Sequence, residues 1–264
     1  MAAEHSGTTG ELVHYRTQAG VGTITLDSPR NRNALSARLR AELSAHLATA
    51  LADPGVRVVV LDHTGPVFCA GMDLKEAAGA GSADQGVNEF PAILERIWTC
   101  PKPVVAKLAG PARAGGVGLV AACDIAVAAS TATFAFTEVR IGVVPAVISV
   151  TVLPRLLPRA AHELFLTGET FDAARAVAIG LLNSTVPAEQ LDAEVTRYTE
   201  MLVLGGPNAL AATKAMLREP KPADLGAAFA EMQALSAPFF ASEEGQEGIA
   251  AFAGKRPPAW VPKD

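Results

Sequence analysis

Residues 108–124 read LAGPARAGGVGLVAACD. A β-rich lead-in, KPVVAKLAG at 102–110, runs into the pair Gly115 and Gly116, and an apolar small-residue helix pattern follows at once. Glycine has no Cβ, so its backbone can come close to a ligand. The first turn of a helix carries unpaired N–H groups and the positive end of the helix dipole. Gly115 and Gly116 thus read as a place to present a backbone N–H to a negatively charged oxygen. Taken alone, the stretch fits a plain strand-to-helix turn better. A second loop, FCAGMDL at 68–74, turns the balance toward function.

Upstream of these loops, residues 12–17 and 21–27 read as two strands joined at Gln18-Ala19-Gly20, the second alternating Gly22, Ile24 and Leu26 against Val21, Thr23, Thr25 and Asp27. Ser36 is a cap for a helix whose Leu39, Leu43, Leu47 and Leu51 repeat every four residues as a buried stripe. Asp53-Pro54-Gly55 stops it, and VRVVVLD at 56–62 is a β-branched run of the kind buried on both faces. After FCAGMDLKE comes AAGAGSADQG at 77–86, small and polar enough to act as a flap. A helix is expected over 87–99 and a strand over 103–108. Short strands are expected at 125–129 and 133–136, with Glu138 ending an apolar β segment. Residues 147–157 read as helix, and from 159 onward the pattern is helical except for a short strand at 183–186. The first two-thirds therefore mix strands and helices, and the last quarter is helix.

At 264 residues the chain can bury a sizeable core. It is 50% hydrophobic and 19% charged, with alanine supplying much of the apolar share, which points to close helix packing or subunit burial. No apolar run is long enough to cross a bilayer. The start, MAAEHSGTTGE, lacks the basic end and apolar core of a signal peptide, so a cytoplasmic protein is expected. Cys69, Cys100 and Cys123 lack metal or redox spacing and read as reduced, buried side chains. A net charge of −5 argues against nucleic acid as partner. The histidines show no ligand spacing, the glycine run fits neither a phosphate loop nor a dinucleotide fingerprint, and no serine lies in a nucleophile elbow.

FCAGMDLKE at 68–76, GPARAGGVGLVAACDI at 110–125 and FAFTEVRIGVVP at 134–145 occur in that order. Together they resemble the enoyl-CoA hydratase/isomerase family, the crotonase superfamily. Supporting matches are SPRNRNAL at 28–35, LTGETFDAARAVAIGLLNSTVP at 166–187 and EGIAAFAGKRPPAW at 247–260. The resemblance implies an α/β fold: a crotonase-like spiral of strand-strand-helix repeats over residues 1–200, with a helical C-terminal trimerisation region over 201–264. It implies a homotrimer or hexamer acting on an acyl coenzyme A thioester, with no metal or redox cofactor, no nucleic acid and no membrane.

The resemblance also assigns residues. The N–H groups of Ala70 and Gly115 would bind the thioester oxygen, on which the charge of an enolate falls. Fixed donors aimed at developing charge lower a barrier by about 3–4 kcal/mol each. Gly71 and Gly116 would permit close approach, and Ala70, Gly71, Met72 and Asp73, with Leu74, would line the bend of the coenzyme A moiety. Asp73 reads equally well as a loop-capping carboxylate. Phe252 and Lys255 match an aromatic-and-lysine pair that reaches the nucleotide end, often from a neighbouring subunit. Glu138 would be the acid/base, its pKa raised by desolvation.

Well-studied hydratases carry a second glutamate where this chain has Gly118. Three readings stay open: hydration by Glu138 alone with water in the vacated space, double-bond isomerisation by one base, or a roomier pocket for a branched or carboxylated chain. In the last, Arg113 or Arg140 would pair with the substrate carboxylate. PAVISVTVLPRL at 145–156 departs from the glycine-rich pattern of short-chain hydratases and leaves the acyl length open.

Overall fold

The computed structural model describes residues 10–77, 89–218 and 224–262. The expected flap falls on 77–86; apart from Ala77, it lies outside the described residues. The chain begins with a hairpin, β1 (Val13–Gln18) and β2 (Val21–Leu26), whose turn uses Ala19 and Gly20 at positive φ. Helix α1 (Ala37–Ala52) starts where the Ser36 hydroxyl accepts from Leu39 N at 3.3 Å. Leu39, Leu43 and Leu47 are buried as the spacing requires, while Leu51 at the frayed end is only half-buried.

Strand β3 (Val58–His63) is followed by a one-turn helix α2 (Leu74–Ala77), helix α3 (Phe90–Thr99) and strand β4 (Val104–Leu108). Then come β5 (Ala112–Arg113), α4 (Gly115–Ala122), β6 (Ile125–Ala129) and β7 (Thr133–Ala135). Helices α5 (Ala146–Val152) and α6 (Pro158–Thr167), strand β8 (Phe171–Asp172), helix α7 (Ala173–Ala178) and strand β9 (Ser184–Val186) complete the core. Four helices finish the described chain: α8 (Leu191–Leu204), α9 (Pro207–Met216), α10 (Leu225–Ala241) and α11 (Glu243–Ala253).

Two sheets result. The larger runs β1-β2-β3-β4-β6-β9, antiparallel only in the first pair, and the smaller runs β5-β7-β8. The chain returns to the large sheet in parallel once per turn and crosses the small sheet on the way, which makes the expected α/β spiral. Parallel strands covered on both faces need apolar side chains throughout, and Val58, Val59, Val60 and Leu61 are all buried. The three cysteines are buried and unpaired.

Some local expectations fail: the helix expected over 147–157 ends at Val152, and strand β8 interrupts the stretch expected to be helical from 159. The β segment before Glu138 stops at Ala135, and Glu138 sits in a 3-10 turn, Thr137–Ile141, closed by Gly142 at φ 74°. The turn swings the carboxylate away from the sheet and toward α4.

Candidate active site

The first loop is held from below by SPRNRNAL. Arg32 and Asn33 both adopt the left-handed conformation, which asparagine tolerates better than most residues. Asn33 is fully buried; its carboxamide accepts from Ser28 N at 2.6 Å and donates to Thr64 O and Val67 O. The turn thereby presents the Arg32 carbonyl, which accepts from Ala70 N at 3.1 Å.

That bond corrects an expectation: the Ala70 N–H holds the loop together and is not available to a ligand. At the next residue, Gly71 at φ 91° reverses the chain, with its carbonyl accepting from Leu35 N at 2.8 Å. The Met72 N–H then makes no hydrogen bond among the described residues. Met72 and Ala70 both line the cavity described below. Asp73 does not; its carboxylate accepts from Asn31 Nδ2 at 2.7 Å and Lys75 N at 3.0 Å. Burial pushes its pKa up, but those bonds outweigh burial and the net shift is downward. It is the loop cap.

The second loop leaves β5 and enters α4 through Ala114, at φ 46° and ψ −118°, with no side-chain cap. Such a backbone is strained for a residue with a Cβ. Ala114 N donates to Ala135 O at 3.0 Å, tying this loop to the strand that leads to Glu138. The Gly115 N–H, at the start of an eight-residue buried helix, is unpaired among the described residues. The two loops touch: a Cβ on Gly71 would stand 3.5 Å from Gly115 N, and a Cβ on Gly116 would meet Cys69 O at 2.6 Å. Glycine at 116 is what lets them approach this closely.

Both loops face a cavity of about 360 Å³ whose far wall is the segment 137–148. Glu138 is half-buried there, and its Oε2 is buried with no hydrogen-bond partner. Desolvation raises its pKa above the ordinary glutamate value, against a weaker opposing bond from its own backbone N–H. A carboxylate held neutral more readily than usual, beside two free N–H groups in an apolar cavity, can accept and return a proton next to an oxygen that carries charge.

The space beside Gly118 is not vacant. A Cβ there would lie 2.6 Å from Ile148 Cγ2, so Ile148 occupies the room that a larger residue would need. Gly118 is buried and does not line the cavity; Ile148 does. The roomier pocket is not there. Arg113 and Arg140 do not line it either. Arg113 donates to Ala112 O, Thr133 O and Thr133 Oγ1, and Arg140 Nε to Thr167 O and Gly168 O. Phe252 on α11 is 88% exposed and, like Lys255, is absent from the cavity wall formed by this chain.

The donor role of Met72 and the roles of Asn33, Ala114 and Ile148 are not among the expectations from sequence. Asn33 carried a signal, an asparagine in a turn-forming run; a main-chain donor such as Met72 carries none in its side chain.

Comparison with known proteins shows the family. The sequence model of the enoyl-CoA hydratase/isomerase family matches residues 16–263. The chain is similar to rat enoyl-CoA hydratase domain-containing protein 3, mitochondrial, 36% identical over 253 residues that cover 94% of this chain and 84% of the relative. It is 35% identical over 258 residues to carnitinyl-CoA dehydratase of Citrobacter koseri, covering 95% and 98% of the two chains. The crystal structure of an enoyl-CoA hydratase from Mycobacterium smegmatis superposes with a TM-score of 0.87 at 34% identity, covering 94% of this chain and 98% of the other. A spiral core, two touching glycine loops and a match running almost end to end place this chain in the enoyl-CoA hydratase/isomerase family, the crotonase superfamily.

Proposed function

We propose that the chain is an enoyl-CoA hydratase, adding water to a 2-enoyl-CoA thioester or removing it, with Glu138 as the one acid/base. One observation carries the reading: Glu138, whose buried Oε2 has no partner among the described residues, faces the same cavity as the loops bearing the free N–H groups of Met72 and Gly115. The two N–H groups bind the thioester oxygen and stabilise the enolate as charge moves onto it. Glu138 takes a proton from water as the hydroxyl adds to the β-carbon and delivers it to the α-carbon. The names of the relatives, an enoyl-CoA hydratase domain-containing protein and a carnitinyl-CoA dehydratase, support chemistry that adds or removes water.

Isomerisation is the second reading, favoured by Ile148 filling the place beside Gly118. With no room there for a second carboxylate, one base moving a proton between α- and γ-carbons needs nothing further. The exposed apolar side chains of the C-terminal helices, Phe229, Phe240 and Phe252 among them, support a trimer or hexamer, in which Phe252 and Lys255 of one copy reach the coenzyme A bound by another. The substrate-derived coenzyme A thioester is the only small-molecule partner this scheme requires.

An absorbance assay tests the reading. Crotonyl-CoA is followed for loss of the conjugated band and a 3-enoyl-CoA for its gain. Hydratase activity predicts the first, isomerase the second. Coenzyme A esters that bind without either change would leave a non-catalytic binding protein.

A further inference from the structure

The segment that carries Glu138 also builds the wall against which an acyl chain must lie, and its chemistry is one-sided. Leu74, Phe90, Ile141, Val144, Val147 and Ile148 line the cavity, and Glu138 is the single ionisable side chain among the described residues that does so. Neither Arg113 nor Arg140 lines it. Arg113 has three donor contacts to main chain and hydroxyl around Thr133, and Arg140 Nε is shared between two carbonyls at 3.1 and 3.2 Å. A carboxylate at the end of an acyl chain would leave water here without a counter-charge among the described lining residues and face the Glu138 carboxylate, which is costly on both counts.

Ile148 fixes the shape of this wall. It is 3% exposed, rides on α5, and sits against the face of α4 where Gly118 has no side chain. Thr151 Oγ1 donates to Gly118 O at 3.2 Å and holds the two helices in that register. Glycine at 118 is therefore read here as the seat of Ile148. Any side chain at 118 would drive Ile148 from its seat.

We infer that the site selects a neutral aliphatic acyl chain over a carboxylated one, and that Ile148 seated on Gly118 is the residue that sets which neutral chain fits. This rests on the thioester reading above but concerns binding, so it is tested apart from turnover. Binding of saturated, unreactive butyryl-CoA, octanoyl-CoA and glutaryl-CoA, with free coenzyme A as baseline, is measured by calorimetry on the wild-type protein. The neutral esters are expected to bind at least about tenfold tighter than glutaryl-CoA. Ile148→Ala opens the wall and is expected to raise the octanoyl-to-butyryl affinity ratio about tenfold; Ile148→Val, a milder truncation, moves it in the same direction by less. Gly118→Ala is expected to lower that ratio, and Ile148→Ala in the same chain to restore it.

Glutaryl-CoA binding as tightly as the neutral esters would overturn the inference. So would an unchanged ratio in both Ile148 variants, or esters that bind no better than coenzyme A. Wild-type protein that ranks the esters as expected yet turns over no enoyl-CoA would sink the hydratase reading and leave the selectivity standing.

Discussion

One wall of the cavity, residues 69–74 with 112–118, works through main chain: its useful groups are the N–H of Met72 and of Gly115, and Gly71 and Gly116 let its loops touch. The opposite wall, residues 137–148, works through side chains: one carboxylate, then valines and isoleucines of which Val144 is 76% exposed. The first wall is anchored on the buried helix α4. The second is a 3-10 turn and a short helix at the surface. The difference teaches where a reaction of this kind can vary. Donors made of backbone are fixed by the fold, whereas the acid and the acyl surface are fixed by single residues that can change without disturbing it.

Substitutions should respect that division. The largest effect belongs to the side-chain wall: Glu138→Gln is expected to lower kcat about 10³-fold while butyryl-CoA affinity stays within about twofold, because the lost group acts in proton transfer and not in binding. Turnover within tenfold of wild type would remove Glu138 from its role. On the main-chain wall, Gly116→Ala places a Cβ against Cys69 O and forces the loops apart. A loss of about 10²-fold in kcat/KM is expected, since misplacing a donor by a fraction of an ångström weakens the bond to the charged oxygen. If Gly116→Ala were silent, the touching loops would not matter.

Stability and activity part company at Glu138. Its pKa is raised in the folded chain, so the folded state holds that proton more tightly than the unfolded one. Stability therefore falls as pH rises from the ordinary glutamate value through the raised one, and that loss persists above it. Glu138→Gln escapes the loss. Its melting temperature is expected to exceed that of the wild type by a few degrees at pH 7 and by less at pH 4, measured by calorimetry across pH. In the wild type, hydration needs the ionised carboxylate, so kcat/KM should fall on the acid side with a midpoint above the ordinary glutamate value. The smallest effect is at Ala114, whose φ of 46° favours glycine. Ala114→Gly is expected to stabilise the chain by about 0.5–1 kcal/mol in denaturant unfolding, with little change in activity.

Much of this was legible in the sequence because it depends on periodicity and on side chains with one purpose. The Leu39, Leu43 and Leu47 stripe, the Ser36 cap and the VRVVVLD strand follow from local chemistry, and the glycine pair announces a close approach. Glu138 stands out as a lone acid in an apolar run. What stayed hidden depends on contacts between distant segments. That Ala70 N is taken by Arg32 O, so that the donor falls on Met72, follows from a turn some forty residues earlier. That Gly118 seats Ile148, thirty positions on, follows from α5 lying on α4. A glycine in a sequence shows only that something is missing; the packed structure shows what fills the place.

The assignment of the two donors can be read directly by nitrogen-15 NMR of protein labelled at alanine, glycine and methionine. On adding butyryl-CoA, the amide proton signals of Met72 and Gly115 should move downfield as they bond the thioester oxygen, while Ala70, already bonded to Arg32, stays in place. Movement of Ala70 with Met72 unchanged, or no movement at either loop, would contradict the pairing on which the chemistry rests.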